Sequence, residues 1–190
     1  MTSNIFFIAD THFGHQGVCE FLREDGSKLR HWYSAAEMDE ELVKNWNEVV
    51  RPCDKVYHLG DVAIKHQALK ILERLNGDKV LIKGNHDIHK LRHYTSYFRD
   101  IRAYHVMDKI ICSHIPVHPD SKGRFVANIH GHTHARRVLL PDTIKIDGAH
   151  ITITKELDKA IDPFYFCVSV EQIDYRPIAY EEIVKQIENL

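Results

Sequence analysis

Five short stretches of the chain gather carboxylate, imidazole and carboxamide side chains: Asp10-x-His12, Gly60-Asp61, Gly84-Asn85-His86-Asp87, Ser113-His114 and Gly131-His132-Thr133-His134. Four of the five directly follow an apolar run of strand character. No thiolate belongs to the set. The donors are therefore nitrogen and oxygen, a combination suited to Mn, Fe, Zn, Ni or Co rather than to a structural thiolate zinc site. An aspartate able to bridge, with ligands on either side of it, suggests two divalent metal ions about 3.5–4 Å apart. Two dications, two aspartates and one hydroxide leave a net charge of about +1, which suits an anionic phosphate.

Such a donor set carries a reaction with it. Water shared by two metals loses a proton near neutral pH, the metals neutralise phosphate oxygens, and the hydroxide attacks phosphorus in line with the leaving group. The departing alkoxide then needs a proton, which a histidine outside the ligand set supplies as general acid when a carboxylate orients it. His86 and Asp87 are the pair expected to do this. His15, a few residues past His12, and Arg23, a fork-shaped donor soon after it, are candidates for contacting the phosphate or its leaving group. His58 and His130 lie inside strand runs beside ligand-bearing turns and are expected to hydrogen-bond behind the ligands or pack in the core. His118 is a further candidate for overhanging the site, whereas His31, His66, His89, His93, His105 and His150 read as surface or satisfied positions.

The elements that must position these residues follow from the apolar pattern. Residues 5–9 form a β-rich run that stops at Asp10, and the runs at 55–59 and 79–82 stop at Gly60-Asp61 and just before Gly84-Asn85. Ser34-Ala35-Ala36-Glu37 has the form of a capping box, and Met38, Leu42, Trp46 and Val49 recur at helical spacing, which predicts a helix over 35–50. Ala68, Ile71, Leu72 and Leu75 predict a second amphipathic helix closed by Asn76-Gly77. Strand, loop and helix in alternation signal βαβ units with a parallel sheet, whose chemistry gathers at the carboxyl ends of the strands. The second half offers strand runs at 101–106, 109–112, 125–129, 143–146, 151–154 and 164–170, and helical signal only at 180–189. A second, more antiparallel sheet packed on the first is expected. The basic and aromatic stretch 90–109 reads as an amphipathic surface segment with its aromatics turned to the core.

Composition narrows the class. The chain has 190 residues, enough for one globular domain that needs no structural metal or disulfide to hold its core, and one domain over 1–190 is expected. With 25 basic and 27 acidic residues there is no global basic field, so duplex DNA binding is not expected. Nothing resembles a signal peptide or a membrane span, and Cys19, Cys53, Cys112 and Cys167 form no Cys-x-x-Cys pair. They are expected to be reduced and buried in a cytoplasmic protein. The anomaly is histidine, present 15 times.

Taken in order, Asp10-x-His12, Gly60-Asp61, Gly84-Asn85-His86-Asp87, His114 and Gly131-His132-x-His134 resemble the calcineurin-like metallophosphoesterases over about residues 4–135. Thr11-His12-Phe13-Gly14-His15, Asn45-Trp46-Asn47, Val56-Tyr57-His58-Leu59-Gly60-Asp61 and Tyr175-Arg176-Pro177 are similar to the small stand-alone phosphoesterases of that superfamily. The resemblance implies an α/β fold of two packed mixed β-sheets flanked by helices. It implies Asp10, His12, Asp61 and His134 around one metal, Asp61, Asn85, His114 and His132 around the other, Asp61 bridging, and His86 with Asp87 as the acid pair. Val62-Ala63-Ile64-Lys65 after the Gly-Asp, and Asp87 closing the next motif, depart from the protein serine/threonine phosphatase branch. The expected activity is hydrolysis of phosphodiesters of small or nucleotide-like substrates with two divalent ions, manganese first. Phosphomonoester hydrolysis, nuclease activity and a non-catalytic scaffold are the alternatives.

Overall fold

Along the first strand the side chains alternate, and that period of two sends them into two different layers. In β1 (Ile5–Ile8), Phe6 and Ile8 pack with the helical layer, while Phe7 and the following Ala9 pack between the sheets. The computed structural model describes residues 3–140, 143–147, 150–154 and 160–188. Strand β1 pairs in parallel with β2 (Lys55–His58), β2 with β3 (Asp78–Ile82), and β3 with β4 (Asp100–Arg102). The second sheet begins with β5 (His105–Met107), β6 (Ile110–Ser113) and β7 (Ala127–His130). After a separate antiparallel pair, β8 (Thr143–Asp147) and β9 (His150–Thr154), strand β10 (Tyr165–Cys167) joins it in the order β10-β7-β6-β5. The short β11 (Ile178–Ala179) returns antiparallel to β1 and completes the first sheet as β11-β1-β2-β3-β4.

The two mixed sheets and their helices form the expected α/β sandwich. Phe7, Tyr57, Leu59, Val80 and Ile82 from the first sheet meet Ile110, Cys112, Ala127 and Ile129 from the second. On the other face of the first sheet lies α1 (Ala35–Val49), whose Met38, Leu42 and Trp46 are buried against Phe6, Ile8, Val56 and Leu81. Burial of Met38 and Leu42 contributes about 1.5–3 kcal/mol each. The helix starts where expected: Ser34 Oγ accepts the Glu37 N–H at 3.1 Å, and the Glu37 carboxylate accepts the Tyr33 N–H at 3.1 Å. The tail helix α2 (Tyr180–Glu188) inserts Ile183 into the core between the sheets. No helix among the described residues is long and apolar enough to cross a membrane.

The fold corrects several expectations. The run expected as an amphipathic helix around residues 68–75 winds as a 3-10 helix, His66–Arg74; its buried residues, Leu69 and Leu72, are three apart, the spacing that eclipses in that geometry. The single strand expected over 101–106 is divided between β4 and β5, because the chain crosses there from one sheet to the other. The second sheet is not mainly antiparallel: β6 and β10 both run parallel to β7, and only β5 is antiparallel to its neighbour. Strand β11 was not among the expected elements. All four cysteines are free, but Cys53 is exposed rather than buried. In the 90–109 stretch Tyr94 and Phe98 enter the core, but Tyr104 is exposed rather than turned inward. Asn189 and the side chain of His150 fall outside the described residues.

Candidate metal centre

Asp10 follows β1, Asp61 follows β2, Asn85 follows β3, His114 follows β6, and His132 and His134 follow β7. Backbone hydrogen bonds stitch these strand ends together: Asp10 N–H to the Gly60 carbonyl at 3.0 Å, His12 N–H to that of Asp61 at 3.1 Å, and Gly131 N–H to that of His114 at 2.9 Å. The turns are tight. Asp10, His12, Asp61, His132 and His134 have φ of 58°, 49°, 56°, 70° and 52°. Few non-glycine residues adopt this left-handed conformation, and those that do concentrate at functional sites. Close approach also requires glycine at two turns. A Cβ on Gly60, itself at φ +90°, would lie 2.6 Å from the Gly84 Cα, and one on Gly131 would lie 2.7 Å from Asp10 Oδ2.

The result is two adjoining groups. Asp10, His12 and His134 bring one ligand atom each within 4.8 Å of one another, and so do Asp61, His114 and His132. Asp61 stands between them, with Oδ2 at 3.4 Å from His114 Nε2 and 3.7 Å from His12 Nε2. Asn85 joins the second group, its Oδ1 at 2.8 Å from His114 Nε2. Among the described residues, Asp10 Oδ1 and both ring nitrogens of His12 are buried without a hydrogen-bond partner. Buried polar atoms rarely lack one. Nitrogen and oxygen donors converging in this way fit divalent ions.

Neighbouring groups hold the donors in orientation. Asp10 Oδ2 accepts the His132 N–H at 2.8 Å and the Ser169 hydroxyl at 2.7 Å, which leaves Oδ1 to the centre. Asp61 Oδ1 accepts the His86 N–H at 2.8 Å, which leaves Oδ2 to the centre. His114 Nδ1 lies 2.7 Å from the Leu59 carbonyl and His134 Nδ1 lies 3.0 Å from Glu171 Oε1, so both rings turn Nε2 inward. Glu171 is in turn gripped by Arg30, with Nε and Nη2 each at 2.8 Å, and Arg30 also donates to the carbonyls of Asp10 and Thr11. Both members of this ion pair are fully buried.

Burial pushes the Asp10 carboxyl up to about 6, a cost that an adjacent dication would offset. Burial would also raise Asp61, but the hydrogen bond and charge of His114 outweigh it and bring that carboxyl down to about 2. Burial likewise opposes ionisation of Glu171, and Arg30 with His134 reverses the effect, bringing it to about 2. The His12 imidazole is held well below its ordinary range by burial first and by the nearby Arg30 charge second.

The two expected catalytic residues lie in different surroundings. The exposed His86 sets its ring centroid 5.7 Å from that of His12, at the rim of the centre. Asp87 corrects its expected role. Its oxygens accept the N–H groups of Asp61 at 2.8 Å, Gly84 at 2.9 Å and Val62 at 3.0 Å, so the carboxylate clamps two ligand-bearing loops and is not engaged with the His86 ring. His15 lies in the site, its ring centroid 5.7 Å from His12. Arg23 is exposed and lines a groove that His134 also lines.

The other histidines separate clearly. His58 is buried, with Nε2 3.0 Å from the Thr11 hydroxyl and Nδ1 accepting the Gly60 N–H at 3.2 Å, and His130 is buried against Tyr165. His118 caps a 3-10 turn by accepting the Asp120 N–H and takes no part in the centre. His66 and His93 hydrogen-bond to each other at 2.9 Å, and His89 lies 3.0 Å from the Ile64 carbonyl. Arg30, Ser169 and Glu171 were missed in the sequence. Glu171 carried a usable signal, an acid directly after the 164–170 strand run, in the same position as the aspartates after β1 and β2; Arg30 had none.

No family model matches the chain. It is 36% identical over 193 aligned positions to the uncharacterized protein MJ1445 of Methanocaldococcus jannaschii, covering 97% of this chain and 91% of that one. It is 37% identical to the Gene 66 protein of Mycobacterium phage L5, covering 45% of this chain and 40% of the phage protein. Among solved structures, the protein of unknown function AQ665 from Aquifex aeolicus superposes with a TM-score of 0.65 at 26% identity, covering 97% of this chain and 99% of that one. Near-complete coverage at this identity places the chain in one family with MJ1445 of Methanocaldococcus jannaschii.

Proposed function

We propose that the chain is a phosphoesterase of the metallophosphoesterase type that hydrolyses phosphodiester bonds with the help of two divalent ions, manganese first. One observation carries this: two Asp/His groups adjoin through Asp61, and in the first of them Asp10 Oδ1 and both His12 ring nitrogens are buried without a hydrogen-bond partner among the described residues. Asp10, His12, His134 and the shared Asp61 would hold one ion, and Asp61, Asn85, His114 and His132 the other. Bound there, the ions would supply Lewis acidity toward phosphate oxygens and a lowered water pKa.

The chain's own residues do the rest. Hydrolysis adds a water oxygen to phosphorus and breaks one P–O ester bond, and the leaving oxygen must take up a proton. His86, exposed beside the centre, donates that proton and recovers it from solvent. Asp87 contributes by holding the Gly60-Asp61 and Gly84-Asn85 turns at a fixed separation. His15, with its ring centroid 5.7 Å from that of His12, is placed to contact the phosphate or its leaving group.

Manganese-loaded protein is expected to hydrolyse bis(p-nitrophenyl) phosphate and to lose that activity in EDTA. His86→Ala is expected to slow turnover by about 10²- to 10⁴-fold at unchanged metal content. Metal-loaded protein that turns over neither diesters nor monoesters would contradict the enzyme and favour a binding scaffold on the same fold.

A further inference from the structure

A groove of about 660 Å³ adjoins the metal centre at His134, which forms part of its lining. That volume lies within the roughly 300–1,000 Å³ of ordinary ligand sites. One wall is a tight fold-back of residues 21–29, in which Leu22 bridges Lys28, Arg23 N–H donates to the Ser27 carbonyl at 2.7 Å and Leu29 N–H donates to that of Phe21 at 2.8 Å. The opposite wall continues from His134 through Arg136, Arg137 and Leu139, and the Gln172 side chain pins it by donating to the Arg136 carbonyl at 3.0 Å.

The lining has a distinct chemistry. Phe21 is 51% exposed, and its ring centroid lies 6.0 Å from that of His15. His15 lies 5.7 Å from His12, so flat rings run from the metal centre into the groove. Arg23, Arg136 and Arg137 supply three exposed guanidinium groups against two carboxylates, Glu24 and Asp25. Asp25 is already taken by Ser27, whose N–H and hydroxyl donate to it at 2.9 and 2.6 Å. Arg136 and Arg137 have no hydrogen-bonded or ion-paired side chain among the described residues, and their fork geometry matches phosphate oxygens.

We propose that this groove holds the nucleotide next to the scissile ester, so that the substrate is a single-stranded oligonucleotide, with a base stacked on Phe21 and the adjoining phosphate held by Arg136 and Arg137. An exposed aromatic face beside unpaired arginines is how single strands are gripped without dependence on sequence. A small diester would leave all three residues unused. The inference rests on the phosphoesterase reading of the adjoining centre. The bond broken is the same P–O ester bond, with water as the only co-reactant and the departing nucleotide oxygen as the proton acceptor.

The test pairs binding with turnover on the intact, manganese-loaded protein. Binding is read from the fluorescence anisotropy of a labelled phosphorothioate hexathymidylate, which resists cleavage, and turnover from unmodified hexathymidylate and bis(p-nitrophenyl) phosphate. Phe21→Ala and the double variant Arg136→Ala/Arg137→Ala should each weaken oligonucleotide binding about tenfold. The double variant should raise KM for hexathymidylate to a similar degree and keep kcat/KM for the small ester within about twofold. Unchanged binding in both variants, or equal losses on both substrates, would overturn the groove assignment. Variant-sensitive binding without hydrolysis of either substrate would support the groove and contradict the phosphoesterase reading alone.

Discussion

Behind His134 stands a charged pair sealed from water, whereas the side chains of His114 and Asp61 are held by backbone groups beside an exposed Asn85. In the first half, Glu171 and Arg30 are both fully buried and lie 141 positions apart in the chain. In the second, the Leu59 carbonyl faces His114 Nδ1 and the His86 N–H occupies Asp61 Oδ1, both supplied by turns next to the ligands. The two devices have one purpose. Each occupies one atom of a ligand so that the other points to the centre. A carboxylate behind an imidazole also raises its basicity more than a carbonyl does. The support of the first half joins positions 30, 134 and 171, whereas that of the second comes from the turns that carry its own ligands.

The largest break should come at the residue the halves share. Asp61→Asn is expected to cost more than the about 10- to 100-fold in metal affinity typical of outer partners, and to weaken both halves together in calorimetric titration. Loss in one half alone would show that Asp61 does not bridge. Glu171→Gln should separate the halves. Metal affinity at Asp10, His12 and His134 should fall about 10- to 100-fold while the other half is retained. Arg30 is then left with a neutral partner, so this variant should also melt earlier, by the logic that removing one member of a buried pair is strongly destabilising. Equal weakening of both halves would remove the distinction.

Smaller effects should fall on the second half. Asp87→Asn loses an acceptor for one of the N–H groups of Asp61, Val62 or Gly84 and should cost about 1–3 kcal/mol in urea unfolding. Its turnover should remain well above that of His86→Ala if Asp87 acts on the loops and not on the acid. The last effect, nil at neutral pH, is a pH dependence at His58, beneath Gly60. Burial holds this imidazole at about 3, well below its ordinary 6.5, so it stays neutral in the fold while the unfolded chain takes up a proton. The unfolded state then binds more protons, and this contribution to stability is full above pH 6.5 and is lost as pH falls from 6.5 toward about 3. His58→Gln should flatten that part of the melting-temperature profile; an unchanged slope would assign the acid sensitivity to other groups.

Much of this was legible because parallel strands end in chemistry. Ile5–Ile8, Lys55–His58 and Asp78–Ile82 each announce themselves as short apolar runs, and the polar word after each is the ligand turn. The groups behind the ligands were not legible in the same way. Arg30 acquires its role only when residues 30 and 171 meet across the fold, and Asp87 looks like a partner for its neighbour His86 until its backbone hydrogen bonds are seen. The 3-10 winding of His66–Arg74 escaped for a related reason: i and i+3 spacing serves both helix types, and local packing of Leu69 and Leu72 decides between them.

The central claim is that these two halves hold two ions that share Asp61. Anomalous diffraction from manganese-loaded crystals tests it directly. Two peaks are predicted about 3.5–4 Å apart, one on Asp10, His12 and His134 and the other on Asn85, His114 and His132, with Asp61 contacting both. A single peak, peaks elsewhere, or none on these residues at saturating manganese would contradict it.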